Sequence, residues 1–180
     1  KHLNLIKYNN GEIKMKTGNF KLGGIFRVKC FDLEGNLKWE DKSKNLVVDE
    51  GLQHILDAIF TLSGETPNAN YYIGLTDGTP AVSANDTLAS HAGWVEVTAY
   101  AEAARQEYVE VRTSLTVDNS ASKAIFSMNA SSTVGGAFIG SVSSGTAGLL
   151  LAASAFANGD KAVTNGDTIE VQYDFSASST

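Results

Sequence analysis

The sequence predicts an all-β, mainly antiparallel fold, a sandwich or a barrel, with a single α-helix. Short segments in which apolar and polar residues alternate recur along the chain, as expected for strands with one buried face. Only one segment has the spacing of an amphipathic helix, so helices for parallel crossovers are lacking. Glycine is frequent, with 17 residues, and Asn-Gly pairs separate several of the alternating segments as turn signals.

The size and composition are those of one folded domain. The chain has 180 residues, of which 43% are apolar and 2 are proline, which argues against disordered and collagen-like polymers. A domain of this length buries a sufficient core without a metal, and the one cysteine, Cys30, cannot form an internal disulfide. No apolar run approaches the roughly 20 residues that span a bilayer, and the first residues lack the apolar stretch of a signal peptide. We therefore expect a soluble protein without a membrane partner.

An extended N-terminal arm is predicted at residues 1–24, followed by the β-sandwich domain at 25–180. The arm has little periodicity and contains breaker stretches at 9–11 (NNG), 18–19 (GN) and 23–24 (GG). A β-hairpin follows. Residues 25–31 (IFRVKCF) and 37–40 (LKWE) alternate between apolar and charged side chains, and Asp32 opens a turn, DLEGN, that links them.

The charge is divided unevenly along the chain. Residues 1–50 contain ten basic and seven acidic residues, a balance of +3, whereas the remainder contains four and thirteen, a balance of −9. This split suggests an arm that meets a different partner from the body, or a neighbour's acidic body, although ordinary sampling of surface residues also produces it. The lysines of the predicted arm are too sparse for phosphate binding, and the acidic remainder of the chain repels nucleic acid. No nucleic-acid partner is therefore expected.

A single amphipathic helix is predicted at about residues 50–63. Asp49 is a candidate N-cap and Gly64 a candidate stop. The apolar residues have the i, i+3, i+4, i+7, i+8 spacing of one stripe, which we expect to pack against an open edge or end of the β-core. The stripe consists of Leu52, Ile55, Leu56, Ile59 and Phe60.

The remaining strands are predicted from alternation and turn signals. A strand at 71–76 leads into an Ala-, Ser- and Asn-rich stretch in which Asp86 caps a helical turn through Ser90. Two Asn-Gly-Asp steps, at 158–160 and 165–167, are predicted turns. Further strands are predicted at 94–97, 107–117, 123–128, 134–139, 149–155 and 168–175.

Catalytic chemistry finds little support. The sequence has no G-x-S-x-G elbow and no H-x-x-x-H pair, so acyl transfer and zinc hydrolysis are not indicated, and His54 and His91 are expected to be structural. Two carboxylates suffice for a glycosidase, which leaves a glycan hydrolase on Glu96, Glu107 or Glu110 as a less favoured alternative. We expect no enzyme activity, no cofactor and no metal site.

Several segments resemble the cement, or head-decoration, proteins of tailed bacteriophages. The most specific is 86–94 (DTLASHAGW), and the first hairpin at 28–41 (VKCFDLEGNLKWED) is also similar. The other segments that carry the resemblance are 45–48 (NLVV) with the helix after it, 74–76 (GLT), 134–138 (VGGAF) and 159–168 (GDKAVTNGDT). The similarity covers about residues 25–176, and the leader is longer than expected for the family.

The resemblance implies a jelly-roll-like β-sandwich on the capsid exterior of the virion, made in the host cytoplasm, that clamps neighbouring major capsid subunits. It also implies a homodimer or homotrimer and no enzyme activity. The leader would thread along the lattice or add a strand to a neighbouring sheet edge. A tail or fibre adaptor that binds a host surface is the alternative. The residues expected to contact the capsid or a neighbouring subunit are Lys7, Tyr8, Lys14, Lys16, Phe20 and Lys21.

Overall fold

The computed structural model describes residues 20–60 and 68–179, which form an antiparallel β-sandwich with one short α-helix. The all-β class predicted from the sequence is confirmed. The helix, α1 (Asp49–Phe60), agrees with the predicted segment as far as the described residues extend. The strands are β1 (Phe20–Phe31), β2 (Leu37–Lys44), β3 (Leu46–Val47), β4 (Tyr72–Thr76), β5 (Glu96–Val97), β6 (Gln106–Glu107), β7 (Val111–Thr113), β8 (Thr116–Asp118), β9 (Ala124–Ser127), β10 (Ser132–Val134), β11 (Gly136–Gly140), β12 (Leu150–Ala155), β13 (Lys161–Val163) and β14 (Thr168–Ser179).

The first sheet is built on two long strands, β1 and β14. Its strand order is β2-β1-β14-β8-β7, and β9 also pairs with β14. β1 and β14 pair without a break from Phe20 opposite Ser179 to Phe31 opposite Thr168. β1 begins at Phe20, so residues 20–24 of the predicted arm form part of the first sheet. Only residues 1–19 of the predicted arm remain, and they lie outside the described residues.

The environment of Gly24 explains this difference. A Cβ at this position would lie 2.6 Å from the ring of Tyr173 and 2.7 Å from the backbone oxygen of Asp174. The Gly24 N–H donates to the side-chain oxygen of Asn45, and its carbonyl accepts a hydrogen bond from the Asn45 N–H. Glycine occurs here because the neighbouring strand β14 approaches closely, and β1 continues through this position.

The main core lies between the two sheets. The second sheet has the order β3-β12-β11-β4-β5 with β6 paired to β4, and β10 and β13 form a separate ribbon. Phe26 of β1 and Tyr173 of β14 stack with ring centroids 4.4 Å apart, in one buried cluster with Ile73 and Ile139 of the second sheet. The alternation predicted for residues 168–175 is confirmed: Ile169, Val171 and Tyr173 are fully buried, and Phe175 packs partly buried against the same cluster.

A second apolar cluster covers the outer face of the second sheet. Trp94 packs over Phe138 with ring centroids 4.9 Å apart, and Leu88 is buried in the same cluster. The segment 86–94 is therefore a cover for this sheet. The predicted helical turn there is wrong, because Thr87 and Ser90 form a β-bridge. The Asp86 carboxylate accepts a hydrogen bond from the N–H of Ser83, which precedes it, and so does not cap a helix that follows.

The strand predicted at 107–117 is broken into three pieces. β6 ends at Glu107, and β7 and β8 form a hairpin whose turn contains Ser114 with φ of 57°. Tyr108 is buried, but Val109 and Val111 are both exposed. The alternating pattern in this part of the sequence therefore does not correspond to one strand with a single solvent-exposed face.

The buried thiol of Cys30 makes a simple probe of folding. Burial raises the pKa of this thiol to about 11; the Asp167 carboxylate adds to the increase and the Lys38 ammonium opposes it. At pH 8 we expect only about one thiol in a thousand to be ionised, against about a quarter of ordinary thiols with pKa near 8.5. Ellman's reagent should therefore leave the native protein unlabelled and modify one thiol per chain in urea. Rapid labelling of the native protein would contradict this expectation.

Candidate docking surface

The apolar stripe of α1 faces away from the core, contrary to the sequence prediction. The exposed fraction rises along the helix, from 38% at Leu52 and 52% at Leu56 to 64% at Ile59 and 65% at Phe60. Of the predicted stripe, Ile55 is the residue that packs against the core. We call the four exposed side chains the α1 face. Apolar patches of this kind are typical of protein–protein contact sites.

Small and polar residues of α1 face the sandwich instead. A Cβ on Gly51 would lie 2.3 Å from the backbone oxygen of Leu151 in β12, so the helix touches the strand directly at this point. The Glu50 carboxylate accepts a hydrogen bond of 2.8 Å from the N–H of Leu150, and His54 is buried, as expected for a structural histidine. Close backbone contact at Gly51 therefore sets which side of the helix is buried.

A series of contacts places α1 at one end of the sandwich. The ring of His54 lies 3.3 Å from the side-chain amide of Asn68, which also reaches the hydroxyl of Tyr71 at 3.4 Å. The Tyr71 carbonyl accepts a hydrogen bond of 2.8 Å from the N–H of Tyr108, whose ring centroid lies 5.8 Å from that of Tyr173. Tyr173 is the residue that packs against Gly24 of β1, so α1 and this part of β1 lie at the same end.

A ribbon formed by the ends of β1 and β14 continues past this point. Residues 20–23 pair with 176–179, and Leu115 in the β7–β8 turn accepts a hydrogen bond of 3.0 Å from the N–H of Ala177. β2 pairs with β1 only from Ile25 onward, so within the described part of the chain this edge of the ribbon has no neighbouring strand. Leu115 is exposed as well, which adds apolar surface to this end.

Helix α1 is acidic. α1 carries three acidic residues and no lysine or arginine. Burial raises the pKa of Tyr108 far above its ordinary value, and the nearby carboxylates of Asp118, Glu110 and Asp174 raise it further. Asp174 is paired with Arg27, and Lys21 and Arg112 are exposed nearby, so the excess of negative charge at this end lies on α1 itself.

The residues predicted to contact a capsid or a subunit divide into two groups. Phe20 begins β1 opposite Ser179, and Lys21 is exposed on the ribbon opposite Ser178. The point at which residues 1–19 join β1 therefore lies at the same end of the sandwich as the α1 face. The other predicted contact residues lie outside the described part of the chain; they are Lys7, Tyr8, Lys14 and Lys16.

The carboxylates considered for glycan hydrolysis have separate environments. Glu96 forms a bidentate ion pair with Arg105, with N···O distances of 2.8 and 2.7 Å. Glu107 and Glu110 are exposed, the first at the end of β6 and the second in the loop before β7. Among residues 20–60 and 68–179, no group of three or more His, Cys, Asp or Glu side chains could hold a metal ion. His91 stacks on Trp94, with ring centroids 3.7 Å apart, as predicted for a packing histidine.

A groove of about 550 Å³ crosses the outer face of the first sheet. Most of its charged side chains are already paired across neighbouring strands, which is the usual way that charges stabilise a solvated sheet face. The ion pairs are Arg27 with Asp174 at 2.7 Å, Lys29 with Glu40 at 3.6 Å and Lys123 with Glu170 at 2.7 Å. This groove is a weaker candidate for binding than the α1 face.

No family model matches the chain, and no curated protein matches it. Within the two described ranges, none of the helical structure is long and apolar enough to cross a membrane.

Proposed function

We propose that the protein is a capsid cement protein of a tailed bacteriophage, which binds the outside of the head and clamps neighbouring major capsid subunits. The observation that carries a binding role is the exposed apolar α1 face, on a helix with three acidic residues and no lysine or arginine. The class comes from the resemblance of segments such as 86–94 and 134–138 to the cement family. In the fold these segments cover and build the second sheet, so they support a shared scaffold.

A cement protein stabilises a head because it binds the assembled lattice and not the free subunits. The contribution of each copy adds to that of the others, so a modest contact per copy is sufficient. Such a role needs a rigid body and an exposed docking surface, and it needs no catalytic group. The two packed sheets supply the body, and the α1 face with the β1–β14 ribbon supplies exposed surface.

The test is binding of the full chain to phage heads that have been stripped of it. We expect saturable co-sedimentation with the heads, and a higher temperature of DNA release when the protein is added back. An equal mass of an unrelated acidic protein serves as the control and should change neither result. Failure to bind heads, or gold-labelled protein located on the tail, would reject the proposal; the second result would favour the tail-adaptor alternative.

A further inference from the structure

We propose that the N-terminal segment of one copy, residues 1–19, docks on the α1 face of a second copy. The α1 face presents Leu52, Leu56, Ile59 and Phe60 over successive turns, with the spacing at which a helix meets a binding partner. Asp49 also lies on the exposed side of the helix. A partner that fits this face is apolar and positively charged.

The N-terminal segment has that chemistry. It contains four lysines and one glutamate, a net charge of +3, whereas residues 20–180 contain ten basic and nineteen acidic residues, a net charge of −9. Ile13 and Met15 alternate with Lys14 and Lys16, so an extended chain presents apolar side chains on one side and lysines on the other. The apolar side fits the α1 face, and lysines reach the carboxylates of α1.

The direction of β1 favours a second copy over the same copy. β1 pairs with β14 in one unbroken register as far as Phe20, so residues 1–19 join the body at the tip of the ribbon. Nineteen extended residues reach up to about 60 Å, far enough to reach a neighbouring molecule. Docking on its own α1 would require the chain to reverse at the end of the ribbon. Reciprocal exchange between two copies closes a dimer, and one-way exchange produces a larger ring.

This contact joins copies of the chain to each other, as the homo-oligomer implied by the family resemblance requires, and in that way deepens the proposed function. It requires no phage head, so it is tested in solution. If the contact fails while the full chain still binds heads, only this inference is lost. If the contact is found while head binding fails, only the cement role is lost.

The experiment compares full-length variants by sedimentation velocity over a range of concentrations. The face variant is Leu56→Glu, the segment variant is the double substitution Ile13→Glu and Met15→Glu, and the control is Leu33→Glu, at an exposed apolar position at the far end of β1. We expect the unaltered chain and the control to self-associate equally. The face and segment variants should each associate at least tenfold more weakly.

Mixing the two defective variants distinguishes exchange from docking within one chain. The face variant keeps an intact segment, and the segment variant keeps an intact face, so exchange predicts a 1:1 complex of the two. The complex should weaken as sodium chloride rises from 50 to 500 mM, because part of the contact is ionic. A mixture that stays monomeric, a face variant that associates like the control, or an unaltered chain that never associates would each overturn the proposal. Unchanged melting temperatures verify that the variants are folded.

Discussion

Replacing Gly135 with alanine is expected to lower the free energy of unfolding by about 3 kcal/mol or more. Gly135 lies between β10 and β11, and a Cβ there would lie 1.6 Å from the backbone oxygen of Gly78 and 2.5 Å from the backbone nitrogen of Thr79. Its N–H donates to the Thr76 carbonyl at 2.9 Å, and its carbonyl accepts from the Phe156 N–H at 2.8 Å. Because the clashing atoms are backbone atoms, no side-chain rotation relieves the overlap.

The matched control for this substitution is Gly23→Ala. A Cβ on Gly23 meets no atom within 4 Å, so alanine is expected to raise stability by about 0.5 kcal/mol through the lower entropy of the unfolded chain. Urea denaturation followed by tryptophan fluorescence measures both variants. Opposite shifts of the midpoint isolate the close approach at Gly135 from the general effect of replacing glycine. Equal midpoints for the two variants would contradict the structural explanation.

The glycines show what the sequence can and cannot predict. The turns predicted at Asn-Gly and Gly-Asn steps are confirmed by positive φ at Gly35, Gly159 and Gly166. Gly51 and Gly135 are different, because each allows two backbones to touch. A local sequence pattern identifies the first kind, since a turn is formed by neighbouring residues. A glycine that allows two backbones to touch depends on residues far away in the sequence. The Gly-Gly pair at 135–136 therefore looks like a turn signal, although Gly135 is needed for close contact with residues 78 and 79.

Helix α1 shows the same limit in another form. The spacing of its apolar residues predicted where the helix lies, but the contact of Gly51 with Leu151 determines which side is buried. Periodicity shows that a helix has one apolar side and does not show whether that side meets the chain's own core or a partner. Strand β13 was not predicted because three residues, Lys161–Val163, are too few for an alternating pattern.

Of the two surfaces in the proposed contact, the sequence predicted the N-terminal segment and not the α1 face. The leader is visible in the sequence as a basic segment before an acidic body, and six of its residues were therefore predicted to contact a partner. The α1 face was assigned to the core, although its hydrophobic residues were all identified. What the sequence lacks is the orientation of the helix relative to the ribbon, which depends on contacts that pass through Asn68, Tyr71 and Tyr108.

Arg105 is a structural residue that the sequence does not single out. Its guanidinium group donates both hydrogen bonds of the ion pair with Glu96 and two more of 2.9 Å, to the carbonyls of Val142 and Gly145. It also lies 5.0 Å from the ring centroid of Phe138. The arginine therefore holds the loop after β11 against β5, and its partners lie too far along the chain to form a recognisable motif.

Replacing Arg105 with methionine is expected to lower the free energy of unfolding by about 3 kcal/mol. The side chain of Arg105 is only 4% exposed and that of Glu96 is 23% exposed, so methionine leaves a largely buried carboxylate and two carbonyls without their donor. Lysine should recover less than half of this loss, because one ammonium group cannot match the planar, forked geometry of the arginine. Urea midpoints measure both variants.

A double-substitution cycle separates the ion pair from the other contacts of Arg105. Glu96→Leu added to Arg105→Met removes the unpaired carboxylate, so the double variant should be more stable than Arg105→Met alone by about 1 kcal/mol or more. The loss of unfolding free energy that remains in the double variant then measures the hydrogen bonds of Arg105 to the carbonyls of Val142 and Gly145, which have no donor in either variant. If the double variant is no more stable than Arg105→Met, the carboxylate is well solvated and the loop contacts alone account for the role of Arg105. If Arg105→Met itself leaves the midpoint unchanged, the arginine does not hold this loop.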